Sequence, residues 1–345
     1  MATDVTDQGT EMKTPRRIFH PTDFSPSADA ALHVAIDAAL RFDAPLLVGH
    51  VVYGGRSYWE VDQPNDRAGV EKRLREHVAE AIGAHGEATL ERLDVTYHVI
   101  EHETAPAGVL HFAHESGIDL IVLGTHGRRG LRKLILGSVS LHVLHASRID
   151  VLLVPATVEE RREGHLLVPI DFHERTHAVV MKAGELADAY GLPVTLLHVL
   201  DAPDSSPLRT GEVLSAEVAD LDSVARERLE EFAGVLADHS EVSAHLVTGR
   251  PQNEIIRWLN RDDVRMTVLA SAGMTPTERL RWYPSDRDLG EEIRWAVGRV
   301  TERVAVRSPV PVWIVKRFEE EHAVFDVPDG MDEAAAYSSR RQVQG

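Results

Sequence analysis

The chain has 345 residues, about twice the size of a common domain, so two domains are expected. Hydrophobic residues at 43% and charged residues at 27% exclude a disordered or fibrous chain. With 37 Lys and Arg against 55 Asp and Glu the net charge is −18, which argues against broad nucleic-acid binding and against docking on anionic membranes.

There is no cysteine, which removes disulfides, thiol catalysis and zinc–thiolate or iron–sulfur sites and fits a reducing, cytoplasmic setting. The N-terminal MATDVTDQGTEMKTPRR lacks the apolar core of a signal peptide, and no apolar run reaches the roughly 20 residues of a membrane span. Residues 1–14 are polar and read as a disordered tail.

In chain order, short β-branched runs predict strands over 17–21, 46–52, 95–101, 119–124 and 151–154. Helices are predicted between them over 27–42, 65–90, 105–116 and 137–147. Ser25 or Ser27 can cap the first helix, where Ala30, Ala31, Val34, Ala35 and Ala38 form an apolar stripe. Ile121–Leu123 and Val151–Val154 are apolar without alternation, as strands are when helices cover both faces. The pattern predicts a doubly wound parallel sheet of the α/β class.

The remainder repeats the first half, with strands expected over 165–170, 193–200, 242–247, 264–270 and 311–315. RIFHPTDF at 17–24 recurs as HLLVPIDF at 165–172, and PLLVGHVV at 45–52 as PVTLLHVL at 193–200, so Asp23 and His50 reappear as Asp171 and His198. GIDLIVLGTHG at 117–127 faces DVRMTVLASAG at 263–273, and RIDVLLVP at 148–155 faces SPVPVWIV at 308–315. The duplication divides the chain into domains over 15–156 and 164–317, with a seam over 157–163. Residues 319–333 hold seven acids and no Lys or Arg, so 318–345 reads as a second disordered tail.

The segment after the fourth strand carries the chemistry. GTHGRRGLRKLILGSVS runs from Gly124 to Ser140 with the spacing Gly124-x2-Gly127-x9-Gly137-Ser138. It leaves the carboxyl end of a strand and enters a helix N-terminus, the edge where open α/β sheets bind ligands. Glycines admit close backbone approach, and unpaired first-turn N–H groups suit phosphate oxygens. Ser138 and Ser140 add hydroxyls, and Arg128, Arg129, Arg132 and Lys133 make this the most basic stretch of the chain. It is neither a Walker A loop nor a GxGxxG fingerprint. Taken alone, the spacing equally describes a plain strand–turn–helix connection, and Asp23 a turn-capping carboxylate.

Those glycines, together with PTDFS at 21–25 and GHV at 49–51, resemble the universal stress protein family of the ATP-binding subtype. The match covers about 15–156, with a weaker copy over 164–317, so the chain resembles a tandem member. The resemblance implies two five-stranded, Rossmann-like parallel sheets of strand order 3-2-1-4-5, paired through their last strands, here within one chain. It implies ATP, ADP or AMP, with Mg2+ carried on the phosphates. Asp23 would contact the nucleoside beside a turn shaped by Pro21 and Thr22, and Val51 would meet adenine through its backbone. Leu123 and Gly124 would lie against the sugar, with Gly127, Gly137, Ser138, Val139 and Ser140 around the phosphates.

The second half departs from this pattern: Ala270 replaces the first glycine, Arg299 replaces the serine, and an insertion occupies about 274–297. It is expected to be a structural partner without nucleotide; the alternative is a site for a different anion held through Arg299. Of the 19 histidines, His126 lies in the glycine segment and His20 ends the first strand beside the same cleft, and either could move a proton. The pairs His111–His114 and His142–His145 have metal-like spacing but no completing carboxylate, so no metal site is expected. Trp282, Tyr283 and Trp295 in the insertion form either a lid or packing. The function expected is a nucleotide-dependent stress-response or signalling module with slow or no hydrolysis. The alternatives are a slow ATPase or nucleotidyl-transfer enzyme using the same cleft, and a nucleotide-free scaffold. Homodimerisation of whole chains stays open.

Overall fold

The computed structural model describes residues 15–53, 56–57, 67–86, 92–125, 136–156, 164–172, 175–201, 216–271 and 298–316. Both expected tails, the insertion, His126 and Gly127 lie outside these residues. The first half runs β1 (Ile18–Pro21), α1 (Pro26–Phe42), β2 (Leu46–Tyr53), β3 (Arg56–Ser57), α2 (Arg67–His85), β4 (Val95–Glu101), α3 (Ala105–Glu115), β5 (Leu120–Gly124), α4 (Ser138–Ala146) and β6 (Asp150–Val154). The second runs β7 (His165–Ile170), α5 (Thr176–Tyr190), β8 (Val194–Asp201), α6 (Ala216–Leu236), β9 (Val242–Gly249), α7 (Pro251–Leu259), β10 (Val264–Ala270), α8 (Arg299–Arg307) and β11 (Val312–Val315).

Each half forms a parallel sheet in which order along the sheet differs from order along the chain. The first reads β4-β2-β1-β5-β6 and the second β9-β8-β7-β10-β11, which is 3-2-1-4-5 counted over the five main strands. The two-residue β3, which the sequence pattern does not predict, adds antiparallel to the end of β2. The halves join where β6 and β11 pair antiparallel, with Trp313 opposite Leu152, so a single sheet runs through the molecule.

Period-two alternation splits the apolar side chains between the sheet's two faces. Ile18, Leu46, Val48, Leu120 and Val122 pack under α1 and α2, while Phe19, Leu47, Ile121 and Leu123 pack under α3 and α4. Both cores continue across the β6–β11 junction into the second half. Local signals set the helix ends. Ser25 accepts the Ala28 N–H at 3.3 Å and Pro26 opens the first turn of α1. Asp43 (φ 49°) ends α1 in the left-handed region, and Gly191 (φ 62°) does the same at the equivalent place in α5.

Two expectations need correction. Val122 lies opposite Leu152, and its repeat equivalent Val268 lies opposite Trp313. Leu152 therefore corresponds to Trp313, one residue away from the alignment of 148–155 with 308–315; a run of apolar residues on both sides leaves that register undetermined in sequence. The expected 65–90 helix is described over Arg67–His85 and gives way to Gly86 at φ 96°.

Candidate functional site: the carboxyl edge of the first half

The connection from β1 leads to β2 on one side, while β5 lies on its other side, so the gap between β1 and β5 is the topological switch point. The turn after β1 is held by its own polar groups. The Thr22 N–H donates to the Gly49 carbonyl at 2.8 Å, and His50 Nδ1 donates to the Thr22 carbonyl at 2.8 Å. Thr22 Oγ1 accepts the Phe24 N–H and Asp23 Oδ1 accepts the Ser25 N–H, both at 3.0 Å. These bonds hold Phe24 at φ 59°, the left-handed region that a bulky residue rarely enters. Its ring lies 5.0 Å from His50 and 5.4 Å from His77, under the Arg73 guanidinium at 4.1 Å. Arg73 has no motif to announce it in the sequence.

Pro21 is the last β1 residue, paired with Gly49. Gly49 itself serves packing, since a Cβ there would stand 2.8 Å from the Phe19 ring. Val51 stands between that last β1 pair and the β3 pair at Val52, with its side chain buried among Ile100 and Val109 in the α3 core. Leu123 is buried in the same core and pairs with Leu153.

Gly124 ends β5 directly under the first turn of α1. A Cβ on Gly124 would lie 2.4 Å from the Ser27 carbonyl oxygen, an impossible approach, so strand–helix packing alone demands glycine. Ser140 Oγ donates to the Gly124 carbonyl at 2.7 Å and Gly137 N–H donates to the Thr125 carbonyl at 2.7 Å. Together they fasten the start of α4 to the end of β5. The Ser140 hydroxyl hydrogen is therefore committed to the backbone, and Thr125, absent from the sequence motif, is part of the frame. Ser138 is exposed and Val139 half-buried in the first turn of α4, where backbone N–H groups have no intrahelical acceptor. The edge thus gathers Pro21, Thr22, Asp23, Val51, Leu123, Gly124, Gly137, Ser138, Val139 and Ser140 around one switch point. His126, Gly127 and the basic residues of 128–133 fall outside the described residues.

His20 does not line the cleft. It is fully buried, its Nδ1 3.0 Å from the Val122 carbonyl across to β5. Burial lowers its imidazole from 6.5 to about 4, so the ring is neutral and serves as a strand tie. Burial also lowers His77, against the raising effect of Asp29. Among the described residues no group of three or more His, Asp or Glu could hold a metal ion. His145, of the metal-like pair His142–His145, faces Glu302 at 3.3 Å instead.

The second half keeps this frame and changes its contents. His198 Nδ1 donates to the Ile170 carbonyl at 2.8 Å, Phe172 sits at φ 61°, and Thr301 Oγ1 donates to the Ala270 carbonyl at 2.9 Å, reproducing His50, Phe24 and Ser140. Asp171 Oδ1, however, accepts from Thr176 Oγ1 at 3.3 Å. Arg175, the equivalent of Ser27, donates to the Ser271 carbonyl, the acceptor equivalent to Thr125. A guanidinium thus bonds the carbonyl at the end of β10 whose first-half equivalent, on Thr125, accepts the Gly137 N–H.

The model of the universal stress protein family matches residues 14–155 and again 164–316. The chain belongs to the universal stress protein family. A universal stress protein of Mycobacterium tuberculosis strain H37Rv is 25% identical over 303 residues, covering 83% of this chain and 94% of the relative. One from Methanocaldococcus jannaschii is 32% identical over 154 residues, covering 42% of this chain and 85% of its own. The crystal structure of a universal stress protein from Archaeoglobus fulgidus superposes with a TM-score of 0.57 at 21% identity, over 88% of this chain and 99% of that one, a likeness of fold. The chain is therefore a tandem universal stress protein with two Rossmann-like domains. No helix among the described residues is long and apolar enough to cross a membrane.

Proposed function

We propose that the first domain of this universal stress protein binds an adenine nucleotide, ATP or its products ADP and AMP, and that the second domain binds none. The observation that carries the reading is the convergence at one switch point of the Asp23 turn, the Val51 stretch of β2 and the amino end of α4. Asp23 would accept hydroxyl hydrogens of the ribose, and the backbone at Val51 would meet the adenine edge. The first-turn amides of α4, at Ser138, Val139 and Ser140, suit phosphate oxygens by position and dipole. His126 and Gly127 would complete that cradle. Mg2+ would be held by phosphate oxygens. A bound nucleotide would supply charge and, as ATP or ADP, a cleavable anhydride; this chain's residues would orient it. His20, fully buried with its Nδ1 on the Val122 carbonyl, is not placed to serve as a base at the cleft, and the module is proposed to bind and signal with slow or no hydrolysis.

In the second domain the Arg175 side chain, Ala270 and Arg299 replace the small residues and backbone of the first. That domain acts as a structural partner. The test is titration of ATP into the full chain and into Asp23→Ala and Gly127→Val. Loss of the charged acceptor should weaken binding by about tenfold or more, and Gly127→Val should abolish it with the circular dichroism spectrum unchanged. Unaltered affinity in both variants would place the nucleotide elsewhere.

A further inference from the structure

The two halves repeat each other closely, but the junction between them does not. At β6–β11 the buried Asp150 carboxylate accepts Trp313 Nε1–H at 3.0 Å with one oxygen and the Lys316 backbone N–H at 2.8 Å with the other. The Lys316 ammonium, itself buried, crosses the sheet edge to the Leu144 carbonyl in the last turn of α4. The sheet registers make Asp150 the counterpart of Pro311, Leu152 of Trp313 and Pro155 of Lys316. Apart from the Leu144 carbonyl, each partner in this network is thus a residue that its own repeat equivalent cannot replace. Leucine has no N–H in its side chain and proline none in its backbone.

The same asymmetry holds on both faces of the sheet. Beneath α4 and α8, His145 lies 3.3 Å from Glu302, while the equivalent positions are Val306 and Leu141, both packed in the apolar core. On the other face, the pseudo-twofold passes between α1 and α5 at Arg41 and its counterpart Ala189. Arg41 donates to the Ala189 carbonyl at 3.1 Å and lies 4.5 Å over the Tyr190 ring.

We infer that this junction specifies pairing between unlike halves and excludes pairing between like ones. A β6–β6 pair in the same register would bury two Asp150 carboxylates with Leu152 and Pro155 in place of both donors, and would leave neither Arg41 the Tyr190 ring it now covers. A β11–β11 pair would bury two Lys316 side chains and two Trp313 N–H groups with Pro311 in place of the carboxylate. Burying a charge without its partner is strongly unfavourable. The one pairing that satisfies the buried groups is first half with second, the pairing by which this chain closes its own sheet at β6–β11.

The experiment starts from the full chain with a protease site inserted between residues 156 and 164. After folding, cleavage and incubation in sub-denaturing urea to let partners exchange, native mass spectrometry counts the pairs. The wild-type halves should be recovered as 1:1 pairs of unlike halves. Like pairs at statistical abundance would overturn the inference without any variant being made. In the triple variant Asp150→Leu, Arg41→Leu, Trp313→Leu, pairs of first halves should rise at least tenfold. If that variant folds and still gives unlike pairs alone, the network does not set the choice. If it fails to fold, the single variant Asp150→Asn decides by the same count, since removing the buried charge should by itself raise first-half pairs measurably, and no rise would reject the proposal.

Discussion

At the residue scale, the glycine that introduces the motif turns out to answer to packing first. Gly124 has no room for a Cβ beneath Ser27, whereas Ala270 carries one beneath a helix that begins two repeat positions later, at Thr176. Gly124→Ala should therefore destabilise the protein by about 1–3 kcal/mol, while Ala270→Gly should cost about 0.5–1 kcal/mol, read from urea unfolding. Equal effects would mean that α1 yields. His20 sets a pH dependence. Its folded pKa of about 4 lies below the 6.5 of the free side chain, so the unfolded chain takes up a proton that the folded chain refuses. Stability is full above that free value and falls as pH drops towards the folded one, by about 2 kcal/mol between pH 7 and 5 from this group. His20→Asn should lose less stability than wild type over that interval; an identical loss would show that His20 does not titrate this way. The sequence placed His20 correctly in the chain but not in space. Its position before Pro21 suggests the cleft, and only strand alternation, which turns its side chain towards β5 and the α1 core, removes it.

At the element scale, strand positions were legible because the apolar runs are short, β-branched and bounded by turn residues; their ends agree with the structure to within two residues. The order 3-2-1-4-5 came from family resemblance, since periodicity alone does not say which strands are neighbours. Three things were not legible. β3 has two residues, too few for any pattern. The register of β11 against β6 is hidden in continuous apolar runs. Arg175 reads as a surface charge until the late start of α5 turns it onto the Ser271 carbonyl. The ties between β2 and the β1 turn, and between β8 and the β7 turn, use the same atoms in both halves. His50→Ala and His198→Ala should each lower stability by about 1–2 kcal/mol. ATP affinity should fall only for His50→Ala. A comparable loss with His198→Ala would contradict the assignment of the site to the first half.

At the scale of the whole molecule, duplication supplies two switch-point edges, and the proposed function assigns a nucleotide to one of them. The acidic composition hides this division, because seven acids lie in 319–333 while Arg128, Arg129, Arg132 and Lys133 follow Gly127 in the sequence. The second domain completes the sheet through β11, covers β6 and anchors α4 at its carboxyl end through Lys316. The measurement that tests this account most directly is the stoichiometry of ATP binding to the full chain by titration calorimetry. One site per chain is predicted. Two equivalent sites, or none, would contradict it.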